Sequence, residues 1–384
     1  MIPYSTQKID KKDIQEVINT LKSPFLTQGP KVTKFEKALT IKVDARYAAS
    51  TNSATSALHI ACIALGVGAG DLVWTSPITF VASANCALYC GAEVDFVDID
   101  FDTNNMSPSA LRLKLQHAKA LGRLPKVVIP VHMGGLSCDM KSIFELSQEY
   151  GFKIIEDASH AIGGSFGGSK IGSCEYSDIA VFSFHPVKII TTAEGGAALT
   201  NNARLGNKLA LLRSHGVTRD IKQMENVPDG DWYYEQISLG FNYRMTDLHA
   251  ALGCSQMKRL DDFVLTRNKV AQRYNKKLSH LPLDLPSISS GSMSSFHLYI
   301  IKISQGNESE RRNLFDFLRH HNIGVNVHYI PVHLQPYYKR KGFSEGDLPI
   351  SELYYKKAIS IPLYPNLSVA DQDHIVSKLC EFFA

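Results

Sequence analysis

Lys153-Ile154-Ile155-Glu156-Asp157-Ala158-Ser159-His160 is a short apolar run that ends on an acid, and the reading of the 384-residue chain turns on it. Lys153–Ile155 has strand character, and Asp157 stands just past its C-terminal end, the edge at which open α/β sheets bind their ligands. Upstream, Leu72–Trp74, Glu93–Val97 and Val127–Val131 are further short runs separated by helix-length amphipathic segments. Such alternation predicts a mostly parallel sheet with helices on both faces. Downstream, Ile179–Phe184 and Gly196–Leu199 read as strands bridged by the polar loop His185–Gly195, and there the sheet ends.

Other elements follow from caps and periodicity. Asp10 caps a helix running to about Leu21, and Ser53 or Thr51 caps another from Ala54 to Leu65. A helix near Arg204–Arg213, a surface excursion over Gln223–Gln236 and one long helix from Asp247 towards Leu278 come next. Past Pro282, strands at His297–Ile303 and Val325–Tyr329 and helices at Glu310–His320 and Val369–Phe383 predict a smaller α+β domain. The expected division is a large α/β domain over 1–250 and the smaller one over 251–384.

Composition removes several function classes. The chain is 44% hydrophobic and 20% charged, and 41 Lys+Arg against 37 Asp+Glu leave a formal charge of +4. These charges are dispersed, so neither nucleic acid nor a membrane surface is an expected partner. The most apolar long window, Val73 to Val97, is broken by Pro77, Asn85, Glu93 and Asp95, too polar for a membrane span. No basic segment followed by an apolar stretch opens the chain, so a cleaved signal peptide is not expected. Seven cysteines form no C-x-x-C pair, and the odd count favours reduced thiols in a cytoplasmic protein. The histidine pairs lack metal-site spacing, and no metal is expected. Gly66-Val67-Gly68-Ala69-Gly70 follows a helix rather than a strand, so it reads as a helix stop, and Gly163–Lys170 reads as a hairpin loop rather than a phosphate loop.

Thirty-one residues after Asp157, Ser183-Phe184-His185-Pro186-Val187-Lys188-Ile189-Ile190-Thr191-Thr192-Ala193-Glu194-Gly195-Gly196 sets a lysine in the loop after a second strand. Alone, Asp157 reads as a helix cap and Lys188 as a solvated charge. Together, the pair, loop and spacing resemble the DegT/DnrJ/EryC1/StrS family of pyridoxal-phosphate-dependent nucleotide-sugar aminotransferases. The similarity runs from Leu26-Thr27-Gln28-Gly29 through Asn52–His59 and Pro77–Ala82 to His328-Tyr329-Ile330-Pro331-Val332-His333.

The resemblance implies fold type I, the aspartate-aminotransferase-like architecture: a large domain with a mostly parallel central sheet plus a smaller C-terminal α+β domain. It implies pyridoxal 5'-phosphate as cofactor, with Lys188 bonding its aldehyde and then moving the proton, and Asp157 pairing with the pyridine nitrogen. Phe80 would stack on the ring, and Ala54, Thr55 and Ser183 would hold the phosphate at a helix N-terminus. His160 stands where the wider family commonly has a glutamine against the phenolic oxygen. Asn242, in Gly240-Phe241-Asn242-Tyr243-Arg244, would reach the phosphate of a partner subunit, which implies a homodimer with shared sites; from the residues alone Asn242 reads as a turn. Tyr329, His333 and His297 would border the nucleotide-sugar pocket, and Thr27 and Gln28 the sugar, although each also reads as a packing or turn residue.

The motifs are most similar to the branch that moves nitrogen from L-glutamate to C4 of a UDP-4-keto-6-deoxy sugar in pseudaminic acid biosynthesis. Lys188 favours transamination, because relatives that dehydrate at C3 carry histidine there. Aminotransferases for other nucleotide-linked keto sugars (bacillosamine or legionaminic C4, lipid A arabinose C4, dTDP-sugar C3) share the chemistry. A non-catalytic binding or regulatory protein on the same fold is the remote alternative.

Overall fold

The computed structural model describes all 384 residues. Seven strands form the central sheet: β1 (Tyr47–Thr51), β2 (Leu72–Thr75), β3 (Glu93–Phe96), β4 (Val127–Ile129), β5 (Lys153–Asp157), β6 (Ile179–Ser183) and β7 (Gly196–Thr200). Their spatial order is β1-β7-β6-β5-β4-β2-β3. Only β7 runs against its neighbours β1 and β6; every other adjacent pair is parallel.

Side-chain alternation along the strands feeds two cores. Val73, Ile129, Ile155 and Val181 face α3 (Ala54–Ala64) and α4 (Ala82–Tyr89), which follow α1 (Lys11–Leu21) and α2 (Pro30–Val43) in the chain. Their sequence neighbours Trp74, Val128 and Ile154 meet Leu111, Leu115 and Ile143 on the other side, while Phe182 meets Phe35 and Leu39. Each large apolar side chain removed from water in this way contributes roughly 1.5–3 kcal/mol. A sheet buried on both faces needs continuous apolar strands, and β4 and β6 are buried at every position.

The smaller α+β part is an antiparallel sheet of β8 (Leu283–Asp284), β9 (Tyr299–Ile303) and β10 (Ala358–Ile361). Its core joins Tyr299 and Ile301 to Leu314, Leu318 and Ile375 from two flanking helices, Glu308–His320 and Val369–Phe383. The amide of Ile2 donates to Asn322 O at 2.7 Å and Gly324 N donates to Ile2 O at 2.7 Å, so the chain's first residues are tied to this part. The helix Asp247–Met257 packs on the helices Lys11–Leu21 and Pro30–Val43 of the large part, and a division after residue 250 falls inside it.

Three local readings change. The long helix from Asp247 is two helices, Asp247–Met257 and Leu260–Leu278, because the backbone leaves helical geometry at Arg259 (φ −116°, ψ 6°). The guanidinium of Arg259 is held there by Asp13 and, at 2.9 Å, by Asp10, the residues that cap the first helix. Val325–Tyr329 is no strand: it touches β10 through one bridge, Asn326 to Ser360, then turns into the cavity described below. Tyr47–Thr51, which carries little apolar signal, is the edge strand β1 and pairs with β7 along its whole length. Gly163–Lys170 forms the expected hairpin, with Gly167 and Gly168 at φ 58° and 87° between its two short strands. No helix is long and apolar enough to cross a membrane.

Candidate active site

A cavity of about 870 Å³ opens where β5 and β6 end and where α3 and α4 begin. Asp157, the last residue of β5, is 4% exposed on its floor. Each of its carboxylate oxygens receives one donor, Ser83 Oγ at 2.6 Å and the Ser159 amide at 3.1 Å, so the group is oriented before anything binds. Ser83, on α4, has no signal in the sequence that marks it as a partner of Asp157. Thr79 Oγ1 in turn lies 2.7 Å from Ser83 Oγ.

Lys188 comes from the loop after β6, and its amine makes neither a hydrogen bond nor an ion pair with protein groups. Burial lowers its pKa from 10.5 to about 8, with the nearby charge of Asp157 pulling the other way. A larger share of the amine is therefore neutral near physiological pH than in a solvated lysine. An amine free of hydrogen bonds and next to a carboxylate is the working form of a lysine nucleophile and base.

The rim toward α3 is built for an anion. Ser53 caps the helix by accepting from the Ser56 amide at 3.1 Å, so the amides of Ala54 and Thr55 open the helix with no intrahelical acceptor. The hydroxyls of Thr55 and Ser183 make no hydrogen bond within the chain, and both line the cavity. Gly196, at the start of β7, passes directly under this terminus; a Cβ there would lie 2.5 Å from Ala54 N. Phe80, 60% exposed, stands over the cavity with its ring 6.4 Å from that of Tyr329.

His160 is buried on the opposite wall. Its Nδ1 accepts from the Gly134 amide at 3.4 Å and its Nε2 lies 3.2 Å from Tyr329 Oη. Burial and the nearby charges of Lys188, His328 and His132 keep its pKa well below the ordinary imidazole value. His297 packs against it with ring centres 4.3 Å apart and sits behind the site. Tyr4 and His249 also reach the cavity, from segments whose sequence carries no mark of the site, and Glu194 reaches it from the same loop as Lys188.

The structure therefore gathers Lys188, Asp157, His160, Phe80, Ala54, Thr55, Ser183 and Tyr329 around one cavity. Four residues named from the sequence stand elsewhere within the single chain. His333 is fully buried against Glu352, 2.9 Å away. Asn242 is exposed on the loop before the helix Asp247–Met257, and Thr27 and Gln28 are exposed ahead of the helix Pro30–Val43. A separate groove of about 530 Å³ beside β3 contains none of these groups.

An oriented carboxylate, an unpartnered lysine, an open aromatic face and a cluster of free donors at a helix N-terminus match the parts of a pyridinium aldehyde carrying a phosphate. The chain can supply a counter-charge to a ring nitrogen, an amine to an aldehyde and N–H donors to phosphate oxygens.

Comparison with known proteins agrees with this donor set. The chain is 39% identical to the spore coat polysaccharide biosynthesis protein SpsC of Bacillus subtilis, over 98% of this chain and 96% of that one. It is equally 39% identical to a Campylobacter jejuni UDP-4-amino-4,6-dideoxy-N-acetyl-beta-L-altrosamine transaminase, over 99% and 96%. Its fold superposes on the PLP form of Spr1654 from Streptococcus pneumoniae with a TM-score of 0.90 and 29% identity, covering 99% and 98% of the two chains. Residues 7–380 match the DegT/DnrJ/EryC1/StrS aminotransferase family, and the chain belongs to that family.

Proposed function

We propose that this protein moves the amino group of L-glutamate to C4 of UDP-2-acetamido-2,6-dideoxy-β-L-arabino-hex-4-ulose, giving UDP-4-amino-4,6-dideoxy-N-acetyl-β-L-altrosamine, a pseudaminic acid precursor. The observation that carries the reading is the pairing, in one cavity, of a partly neutral, unpartnered Lys188 with an oriented Asp157. The identity to the Campylobacter transaminase over nearly the whole chain supports the choice of sugar. The equal identity to SpsC favours a second reading, in which the acceptor is another nucleotide-linked keto sugar.

Pyridoxal phosphate, when bound, supplies an aldehyde that bonds amines and a ring that takes up electrons. Asp157 keeps a proton on the ring nitrogen, and Ser83 and the Ser159 amide hold its carboxylate against rotation. Lys188 Nζ takes the proton from the amine-bearing carbon of glutamate and returns one to the sugar carbon, which a pKa near 8 suits in both directions. Ala54, Thr55 and Ser183 bind the phosphate, and Phe80 limits movement of the ring plane.

In this reading the protein is a cytoplasmic homodimer. Asn242 projects from the surface of one subunit toward the phosphate of the other, and Thr27 and Gln28 border the sugar across the same interface. The exposed apolar residues Ile14, Leu21, Phe25, Leu26 and Leu239 support burial of that surface. Incubation of purified protein with glutamate and a panel of UDP- and dTDP-linked keto sugars tests the assignment. Amine formation on the arabino-hex-4-ulose alone supports it, and amine formation on a different sugar alone overturns it in favour of the second reading.

A further inference from the structure

The His160 wall carries a consequence for proton placement that the family assignment does not contain. The amide of Gly134 is a fixed donor, and it points at His160 Nδ1 from 3.4 Å. That ring nitrogen must then offer its lone pair. Burial, with Lys188, His328 and His132 nearby and the ring of His297 packed 4.3 Å away, holds the imidazole neutral. A neutral ring whose Nδ1 accepts carries its single proton on Nε2. Nε2 lies 3.2 Å from Tyr329 Oη, so His160 donates to the tyrosine oxygen and leaves the phenolic hydrogen to be given elsewhere.

Tyr329 lines the cavity together with Asp157 and Lys188, its ring 6.4 Å from that of Phe80. Its pKa is pushed well above the ordinary phenol value by burial, with Tyr4 and Asp157 adding to the effect, so it remains a donor throughout the working pH range. His160 has no ring nitrogen left with which to meet a ligand.

We propose that Tyr329 is the hydrogen-bond donor to an anionic or carbonyl oxygen in the cavity, and that His160 is a positioning residue that locks the direction of that donation. The inference rests on the aminotransferase reading. The oxygen belongs either to the phenolate of the cofactor or to the keto group of the sugar, and the two sources give different signatures. A donor to the phenolate stabilises the anion, so its removal raises the pH at which the bound chromophore takes up a proton. A donor to the sugar leaves that titration unchanged and acts on sugar affinity instead.

The test compares wild-type protein with Tyr329→Phe, His160→Leu and His160→Gln, each loaded with pyridoxal phosphate and checked for unchanged thermal unfolding. The visible absorption is titrated with pH in the absence of substrates, and sugar affinity is then measured separately. Tyr329→Phe is expected to raise the titration midpoint by about one pH unit or more if the cofactor oxygen is the acceptor, or to weaken sugar binding about tenfold if the keto oxygen is. His160→Leu should move the same readout in the same direction, and His160→Gln, whose carboxamide N–H can replace the imidazole donor, should stay near wild type. A Tyr329→Phe protein that matches wild type in both readouts overturns the proposal. A His160→Leu protein that matches wild type while Tyr329→Phe does not overturns the positioning role. Absence of any visible band from the wild-type protein would instead overturn the cofactor reading, and this inference with it.

Discussion

Replacing Lys188 with methionine should stabilise the cofactor-free protein while abolishing its chemistry. The side chains are similar in length, but the half-buried lysine lines the cavity near Asp157 with no hydrogen-bond partner for its amine, and burial holds its pKa at about 8 instead of 10.5. That difference corresponds to a cost of about 3 kcal/mol for keeping the amine charged in the folded protein at neutral pH, which methionine does not incur. The sign of the pH dependence follows. Below pH 8 both folded and unfolded wild-type chains hold the proton, and the cost is full. Between 8 and 10.5 the unfolded chain keeps the proton while the folded one has released it, so wild-type stability rises with pH relative to the variant, and above 10.5 the difference is gone. For 384 residues, about 3 kcal/mol corresponds to roughly 4 °C in Tm. The assay is thermal unfolding of both cofactor-free proteins at pH 7 and pH 9.5, where the advantage of Lys188→Met should shrink by about 2 kcal/mol. A variant less stable than wild type at pH 7, or an advantage that does not change with pH, would refute the argument that the amine is held at an energetic cost.

Asp157→Asn preserves the contacts to Ser83 and Ser159 in shape but removes the counter-charge; turnover should fall by about 100-fold or more, with KM for glutamate changing far less. Gly196→Ala should weaken cofactor retention, measured as a dissociation constant, because the added methyl displaces the amide of Ala54 from the phosphate end; unchanged retention would remove that terminus from the site. Asn242→Ala should also weaken retention. Mixing a Lys188→Ala chain with an Asn242→Ala chain should then yield mixed dimers in which one of two sites lacks both groups and the other is intact, and no recovered turnover would count against a shared site.

Strand ends make the position of the candidate site legible in the sequence, but alone Asp157 reads as a helix cap and Lys188 as a solvated charge, and it is the family resemblance that pairs them. Asp157 closes β5 and Lys188 lies in the loop after β6, and both follow apolar runs that are buried on both faces of the sheet. The amides of Ala54 and Thr55 were readable through the Ser53 cap. Ser83, Tyr4 and His249 are not, since each reaches the cavity by tertiary packing and has no local pattern to betray it. β1 escaped notice because Tyr47-Ala48-Ala49-Ser50-Thr51 owes its strand to pairing with β7, some 150 residues away, rather than to its own residues. The break at Arg259 has no proline or glycine to mark it, and the carboxylates paired with its guanidinium, Asp10 and Asp13, come from about 250 residues away in the chain. His333 shows the converse: a motif match to a binding residue whose side chain is occupied by Glu352 in the interior of the same subunit.

Lys188 and Asp157 are proposed to operate a cofactor that carries nitrogen from glutamate to a UDP-linked keto sugar. The visible absorption of the purified protein loaded with pyridoxal phosphate, recorded before glutamate, after glutamate and after the UDP-4-keto sugar, tests it most directly. The wild-type protein should show a visible band that glutamate abolishes and the UDP-4-keto sugar restores, and that is missing from Lys188→Ala; a wild-type protein without such a band, or with one that glutamate leaves untouched, would rule out this role for the pair.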